Sequence, residues 1–281
     1  MKNILIVRLS SFGDIVQCLT SAKLLKTNYP DCKISFVTKR EFANLVELCE
    51  HVDQVISFDK KLGLVGWIKL CFSIRNMRLD LIYDAHSNMR TSVLKLILLG
   101  QGKVITRNKE RIKRLLLFKF RVNKFPRPFR GMQSFCFPLI EKLGLRHQAI
   151  EYQKFDFSKV ETKNIDKILP QNEFLAIAPS AAWKMKTWPL DHWKQLIKIL
   201  DSTKVVVLGG PADTFCQELE ELDSNRVFNL AGKLSLIESC YVIERSHFFV
   251  SADTGLIHVN EILGKYGASL IGPTAFGFPS T

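Results

Sequence analysis

The feature that most constrains this chain is an alternation of short apolar runs with stretches of helical periodicity, carried through once, interrupted, and carried through again. In the first half, Asn3 to Val7, Lys33 to Thr38, Gln54 to Phe58, Leu79 to Tyr83 and Lys103 to Thr106 read as strands. Between them Asp14 to Asn28, Glu41 to Cys49, Leu64 to Arg75 and Asn88 to Leu99 read as helices, the first ended by Pro30. Such alternation predicts βαβ crossovers and a parallel sheet. A basic run at 107–130 interrupts the pattern, and helical periodicity returns from about Gly131 to Leu143. After a polar linker near 146–172 the strands are Phe174 to Ala178, Lys204 to Leu208, Val227 to Asn229, Phe248 to Ser251 and Ala268 to Ile271. The helices among them are Leu190 to Leu200, Ala212 to Leu222, Leu236 to Arg245 and Gly255 to Leu263. An α/β protein of two Rossmann-like domains, 1–160 and 161–281, is expected, each with enough chain to bury a core.

Charge separates the two halves. The net balance is 40 − 27 = +13, but residues 1–160 hold 29 Lys and Arg against 13 Asp and Glu, and residues 161–281 hold 11 against 14. The basic half suits an anionic partner such as a phosphorylated glycolipid, a membrane surface or a nucleic acid. Nucleic acid is the weakest of these, because no recognised motif or interleaved aromatic pattern accompanies the basic run. The longest uncharged stretch, Tyr266 to Thr281, is broken by Gly and Pro and is shorter than the roughly 18 apolar residues a membrane helix needs. The apolar run Ile4 to Val7 is closed by Arg8 too early for a signal peptide, so a cytosolic location is expected. Seven scattered cysteines without a Cys-x-x-Cys pair suggest neither a disulfide framework nor a zinc site. The absence of a phosphate-loop motif and of G-x-G-x-x-G argues against ATPase and NAD-dehydrogenase chemistry.

In open parallel sheets ligands bind beyond the carboxyl ends of the strands, so the loops there are where chemistry is expected. The first strand runs into Ser10-Ser11-Phe12-Gly13-Asp14, where Asp14 is either a helix cap or a general base; both require the ionised carboxylate. The first strand of the second half runs into a loop with Lys184 and Lys186 among Trp183, Met185 and Trp188, which are either solvated lysines or a diphosphate clamp. The strand Phe248 to Ser251 meets a helix at Asp253-Thr254-Gly255. That helix start offers unpaired amides, a positive dipole end, a hydroxyl and a glycine that allows close phosphate approach. Asp253 as a cap and His258 as a packed helix residue are the structural alternatives.

Taken in order, S-S-F-G-D at 10–14, K-T-W-P-x-x-H-W at 186–193, G-G-P-x-D at 209–213, A-D-T-G-L-x-H at 252–258 and G-P-T at 272–274 resemble the ADP-heptose:lipopolysaccharide heptosyltransferases, glycosyltransferase family 9. The resemblance spans nearly the whole chain. It implies a GT-B fold, with two Rossmann-like domains facing across a cleft, the acceptor held mainly by the first and the nucleotide sugar by the second. It further implies an inverting enzyme without a metal or other cofactor, in which Asp14 deprotonates the acceptor hydroxyl and Lys186 neutralises the departing diphosphate. Asp253, Thr254, Gly255 and His258 would surround the donor phosphates and sugar, Asp213 would meet the ribose hydroxyls and Leu234 the adenine face. The implied donor is ADP-heptose, the implied acceptor the phosphorylated lipopolysaccharide core, and the implied location the cytoplasmic side of the inner membrane, bound peripherally.

This chain departs from the family pattern in three ways. Ala181 and Ala182 stand where threonines are frequent, Lys184 and Lys186 are both placed to meet a diphosphate, and the sequence ends at Thr281, soon after G-P-T. The last suggests a second domain truncated at its C-terminus. A relative that uses another nucleotide sugar, and a catalytically silent glycolipid-binding protein, are the alternative readings.

Overall fold

β1 (Asn3–Val7) is buried from Ile4 to Val7 on both faces, as a strand must be that lies in mid-sheet beneath helices on either side. The structure, a computed structural model, describes residues 1–125, 131–146 and 152–272. The chain divides into two compact units, Met1–Phe155 and Asp156–Thr281.

In the first unit β1 is followed by α1 (Phe12–Asn28), β2 (Lys33–Lys39), α2 (Ala43–Glu47), β3 (Gln54–Phe58), α3 (Gly63–Arg75), β4 (Leu81–Asp84), α4 (Met89–Ile97), β5 (Lys103–Thr106), α5 (Arg111–Phe120) and α6 (Gly131–Leu143). The second holds α7 (Lys163–Ile168), β6 (Phe174–Ala178), α8 (Leu190–Ile199), β7 (Lys204–Val207), α9 (Gln217–Glu220), β8 (Val227–Asn229), α10 (Leu236–Arg245), β9 (Phe248–Ala252), α11 (Gly255–Ile262) and β10 (Gly267–Leu270). Every strand pair in both sheets is parallel. The orders are β3-β2-β1-β4-β5 and β10-β9-β6-β7-β8. Counted from the first strand of each unit, both sheets therefore have the same arrangement, with the first strand central. The chain reverses its direction of travel between β1 and β4 and again between β6 and β9, and an open α/β sheet opens its ligand crevice at such reversals.

Each unit has its own apolar core. Trp67, fully buried with Leu5, Val7, Val37 and Ile82, meets Phe58 edge-on at 5.0 Å and satisfies its ring N–H on the Arg90 carbonyl at 2.8 Å. Trp193 is the counterpart in the second unit, packed with Ile177, Val205 and Val207. A fully buried side chain of this size contributes roughly 2 to 3 kcal/mol by removal from water. All seven cysteines are free and buried. Burial pushes the thiols of Cys18, Cys49, Cys71, Cys216 and Cys240 up to about 12, which leaves them un-ionised and inert.

The departures from the expected elements have local causes. α1 begins at Phe12 rather than Asp14 because Ser11 takes the cap position and Asp14, three residues on, reaches back to it. The expected helix 41–49 is a 3-10 turn, Arg40–Phe42, followed by the short α2, and Cys49 instead pairs with Phe155. The expected helix 212–222 shrinks to a 3-10 turn, Thr214–Cys216, and α9, because the Asp213 carboxylate binds the Gly210 amide at 2.6 Å and holds the preceding residues in a turn. α5 forms inside the basic run and α7 inside the expected linker. Of the expected G-P-T element only Gly272 lies among the described residues, as do only 107–125 of the basic run; the end of the chain at 273–281, on which the expected truncation rests, lies outside them.

Candidate active site

The reversal point of the first sheet is built from the ends of β1 and β4. Arg8 follows β1, its amide held by the Val37 carbonyl at 3.0 Å, and the Ala85 amide after β4 binds the Val7 carbonyl at 3.1 Å. The Arg8 guanidinium closes the gap between the strand ends, donating through Nη1 to the Ala85 carbonyl at 2.7 Å. Its Nη2 lies 2.6 Å from Asp14 Oδ2, and the Arg8 side chain is 7% exposed against 39% for Asp14. Ser11 adds two donors to the same oxygen, its hydroxyl at 2.6 Å and its amide at 3.2 Å. Burial pushes the Asp14 carboxyl up, but Arg8 and the Ser11 bonds outweigh it and hold the group below the usual carboxylate range. Asp14 thus completes the capping box at Ser11 and is also a carboxylate that favours its ionised form and keeps solvent access.

Around it stand residues that no sequence motif singles out. His86 follows β4; its Nδ1 is buried without a hydrogen-bond partner among the described residues, and burial, with the Arg8 and Lys109 charges, holds the ring down to about 4, so it is neutral at pH 7. Arg107, after β5, bonds the Ser134 carbonyl at 3.2 Å and hydroxyl at 2.7 Å. Its guanidinium lies 3.9 Å from the centre of the Phe135 ring, with that of Arg8 at 5.5 Å from the same ring. A recess of about 620 Å³ opens at Ser87, lined in part by Arg107, Lys109, Glu110 and Arg111. Arg8 stood in the sequence as the residue that ends an apolar run; nothing in a linear reading shows that its side chain turns back under the sheet edge.

The second reversal point joins the loops after β6 and β9. Lys186 ends a 3-10 turn, Lys184–Lys186, and its Nζ lies 2.7 Å from Asp253 Oδ2, with the side chains 33% and 13% exposed. Lys184 is exposed. Beyond the lysine, Trp188 stacks on His192 at 5.2 Å and meets Trp193 edge-on at 5.2 Å, which anchors the K-T-W-P end of the loop to the core. From the other side Gly272 approaches so closely that a Cβ there would fall 2.7 Å from the Met185 carbonyl, so glycine is what lets the two segments meet.

Thr254 caps α11, its hydroxyl accepting from the Leu256 amide at 3.1 Å, and Gly255 opens the helix whose first turn presents its amides at this loop. His258 sits one turn in, 14% exposed, with Nδ1 3.5 Å from Glu261 Oε2. Asp213 is committed through Oδ2 to the Ser180 hydroxyl at 2.7 Å and the Gly210 amide at 2.6 Å, tying the loop after β6 to the loop after β7. Leu234 is half-buried in the turn before α10, and Lys233 beside it donates to the Asn229 carbonyl at 2.8 Å. The structure thus brings Lys186 together with Asp253, and Asp213 with Ser180.

Against known proteins, the sequence profile described as Glycosyltransferase family 9 (heptosyltransferase) matches residues 67–279. The chain belongs to glycosyltransferase family 9. Within this family it is 22% identical to the lipopolysaccharide core heptosyltransferase OpsX of Haemophilus influenzae, over 99% of this chain and 80% of that one. The fold superposes on E. coli ADP-heptose lps heptosyltransferase II with a TM-score of 0.77 at 22% identity, over 100% of this chain and 87% of the other. It superposes on E. coli heptosyltransferase WaaC with ADP-2-deoxy-2-fluoro heptose at 0.71 and 22% identity, over 97% and 89%. As in these, the family 9 fold is α/β of GT-B type with two Rossmann-like parallel-sheet domains, and the chain is a glycosyltransferase. A more distant structure, TibC of enterotoxigenic E. coli, with a TM-score of 0.52 and 12% identity over 95% of this chain and 57% of that one, is described as iron-containing. Among the described residues of the present chain no group of three or more His, Cys, Asp or Glu is placed to hold a metal ion.

The basic run is the remaining feature. α5 buries Leu117 but leaves Ile112, Leu115 and Phe118 exposed, at 75%, 54% and 59%. These share one face at helical spacing, and Arg111 and Lys119 are exposed beside them. No described helix is long and apolar enough to cross a membrane.

Proposed function

We propose that this chain transfers heptose from ADP-heptose to the lipopolysaccharide inner core with inversion at the anomeric carbon, the first domain holding the acceptor and the second the donor. The observation that carries this reading is the contrast between the two reversal points. One ends in a carboxylate that is ionised and reachable; the other ends in a lysine beside a helix N-terminus, and both lie where an α/β sheet binds its ligands.

In this reading Asp14 takes the proton of the acceptor hydroxyl as that oxygen forms its bond to the anomeric carbon, and the bond from that carbon to the ADP oxygen breaks on the opposite face. The hydroxyl becomes acidic only as the new bond forms, so a base of low pKa serves. The departing diphosphate gains charge, which Lys186 and the first-turn amides of α11 meet without a metal. Asp253 keeps Lys186 in place, Thr254 and Gly255 shape the phosphate site, His258 lines the sugar, Leu234 covers the adenine, and the second oxygen of Asp213 reaches the ribose. The recess at Ser87, where Arg107, Lys109 and Arg111 outnumber Glu110, receives anionic groups of the acceptor.

The glycolipid acceptor lies in a membrane, and the exposed apolar face of α5 among its cations supports peripheral contact with an anionic bilayer on the cytoplasmic side of the inner membrane. The deciding experiment is a transfer assay with the purified protein, ADP-heptose and a deacylated inner-core acceptor. Product formation by the native chain, lost by about 100- to 10,000-fold in Asp14→Asn with ADP affinity retained, is expected. A chain that binds ADP but forms no product would be a silent glycolipid binder.

A further inference from the structure

The three donors that reach Asp14 from the described residues, Arg8 Nη2, the Ser11 hydroxyl and the Ser11 amide, all converge on Oδ2. Oδ1 receives none from them. A carboxylate whose two oxygens are so unequally bonded is held in one orientation, with one oxygen anchored and the other left for an incoming donor. The anchor is itself rigid. Arg8 is fixed by its backbone in the sheet, by Nη1 on the Ala85 carbonyl, and by the Phe135 ring, which also carries Arg107. At 7% exposure this guanidinium is far from the solvated surface pair whose geometry is loose and whose worth is small.

We propose that Arg8 is a positioning residue for the transfer reaction, fixing Oδ2 of Asp14 as the anchored oxygen and leaving Oδ1 as the oxygen that takes the acceptor's proton. This rests on Asp14 being the base, and adds how that base is aimed and reset. Proton transfer from the acceptor hydroxyl to Oδ1 leaves a neutral acid beside the Arg8 cation. Arg8 then favours loss of that proton to solvent and return of the carboxylate. Among the described residues three other charged or titratable groups interact with Asp14, His86 from the end of β4 and Arg107 and Lys109 from the segment after β5, and Asp84 faces His86 and Lys109. Arg107 is already engaged by Ser134, and Asp84 pairs with Lys95 at 2.9 Å, so Arg8 is the cation that bonds the Asp14 carboxylate directly.

The test uses the full chain in the transfer assay across a pH series, with ADP binding and thermal melting as controls of fold. Arg8→Gln is expected to lower kcat by about 10- to 100-fold, as loss of aim at a reacting atom does, with little change in donor KM. It should also move the acid limb of the rate profile to higher pH, because a partly desolvated carboxylate without its cation protonates more easily. Arg8→Lys keeps the charge without the fork, so it should return the limb towards its native position while restoring only part of kcat. In the Asp14→Asn background Arg8→Gln should cost nothing further, and His86→Asn run in parallel separates any titration of that ring. Native kcat and profile in Arg8→Gln, a rise in KM alone, or an equal loss in the Asp14→Asn background would each overturn the assignment. Should Arg8→Gln fail to fold, native kcat in Arg8→Lys would do the same. Full turnover by Asp14→Asn would instead bring down the base itself, a separate outcome.

Discussion

Lys186 and Asp253, 67 residues apart in sequence, are joined at 2.7 Å across the reversal point of the second sheet. The pair holds the lysine against the start of α11 before any donor arrives, so its side chain need not be ordered on binding. It also means that a diphosphate must share Lys186 with a carboxylate that is only 13% exposed.

Removing that lysine is expected to lower turnover by about 100-fold and to weaken ADP binding, the usual scale for losing one donor to a developing anion. Lys184→Ala should do much less, because Lys184 is exposed while Lys186 is the lysine held by Asp253. Calorimetric titration of ADP with both variants checks the order, and a reversed ranking would exchange the two lysines in the proposed site.

Transfer is expected to proceed in EDTA at the rate seen without it, since Lys186 and the amides of α11 supply the positive charge. Activity that disappears in chelator and returns with Mg²⁺, Mn²⁺ or iron would show that a metal completes the site.

Sedimentation with vesicles rich in anionic lipid should show binding that weakens with salt. It should fall in the triple variant Arg111→Ser, Lys113→Ser, Arg114→Ser, at about 1 kcal/mol for each cation close to the surface. Equal binding to neutral vesicles would make α5 an ordinary solvated helix.

His86 is held down to about 4 in the folded chain, against an ordinary value near 6.5, chiefly by burial. Between those values the unfolded chain binds the extra proton, so the contribution of His86 to stability is lost as pH falls from about 6.5 towards 4, by roughly 1 to 3 kcal/mol. Thermal melts at neutral pH and near pH 4.5 should therefore converge in His86→Asn relative to the native chain.

The two parallel sheets were legible in the sequence because a central strand of this kind is apolar at nearly every position, as in Ile4 to Val7 and Phe174 to Ala178. Helix ends were less so. α1 starts two residues before the Asp14 that its sequence pattern suggests, because Ser11 and Asp14, three apart, share one capping box. The motif residues after β6 and β9 could be named from their loops, but that Lys186 and Asp253 touch follows from strand order, which no local pattern encodes. Arg8, His86 and Arg107 were not legible as a group at all. They come from the ends of three different strands, and only the parallel register sets them side by side.

The matching strand order of the two sheets bears on how a chain of this kind can acquire new substrates. Each reversal point is shaped by loops that leave its own sheet, and each sheet has its own tryptophan-centred core. Substitutions that retune the loops at 179–189 and 252–255 need not disturb the packing beneath Asp14, nor the reverse. Donor preference and acceptor preference can then drift as separable traits, each answerable to its own half of the chain.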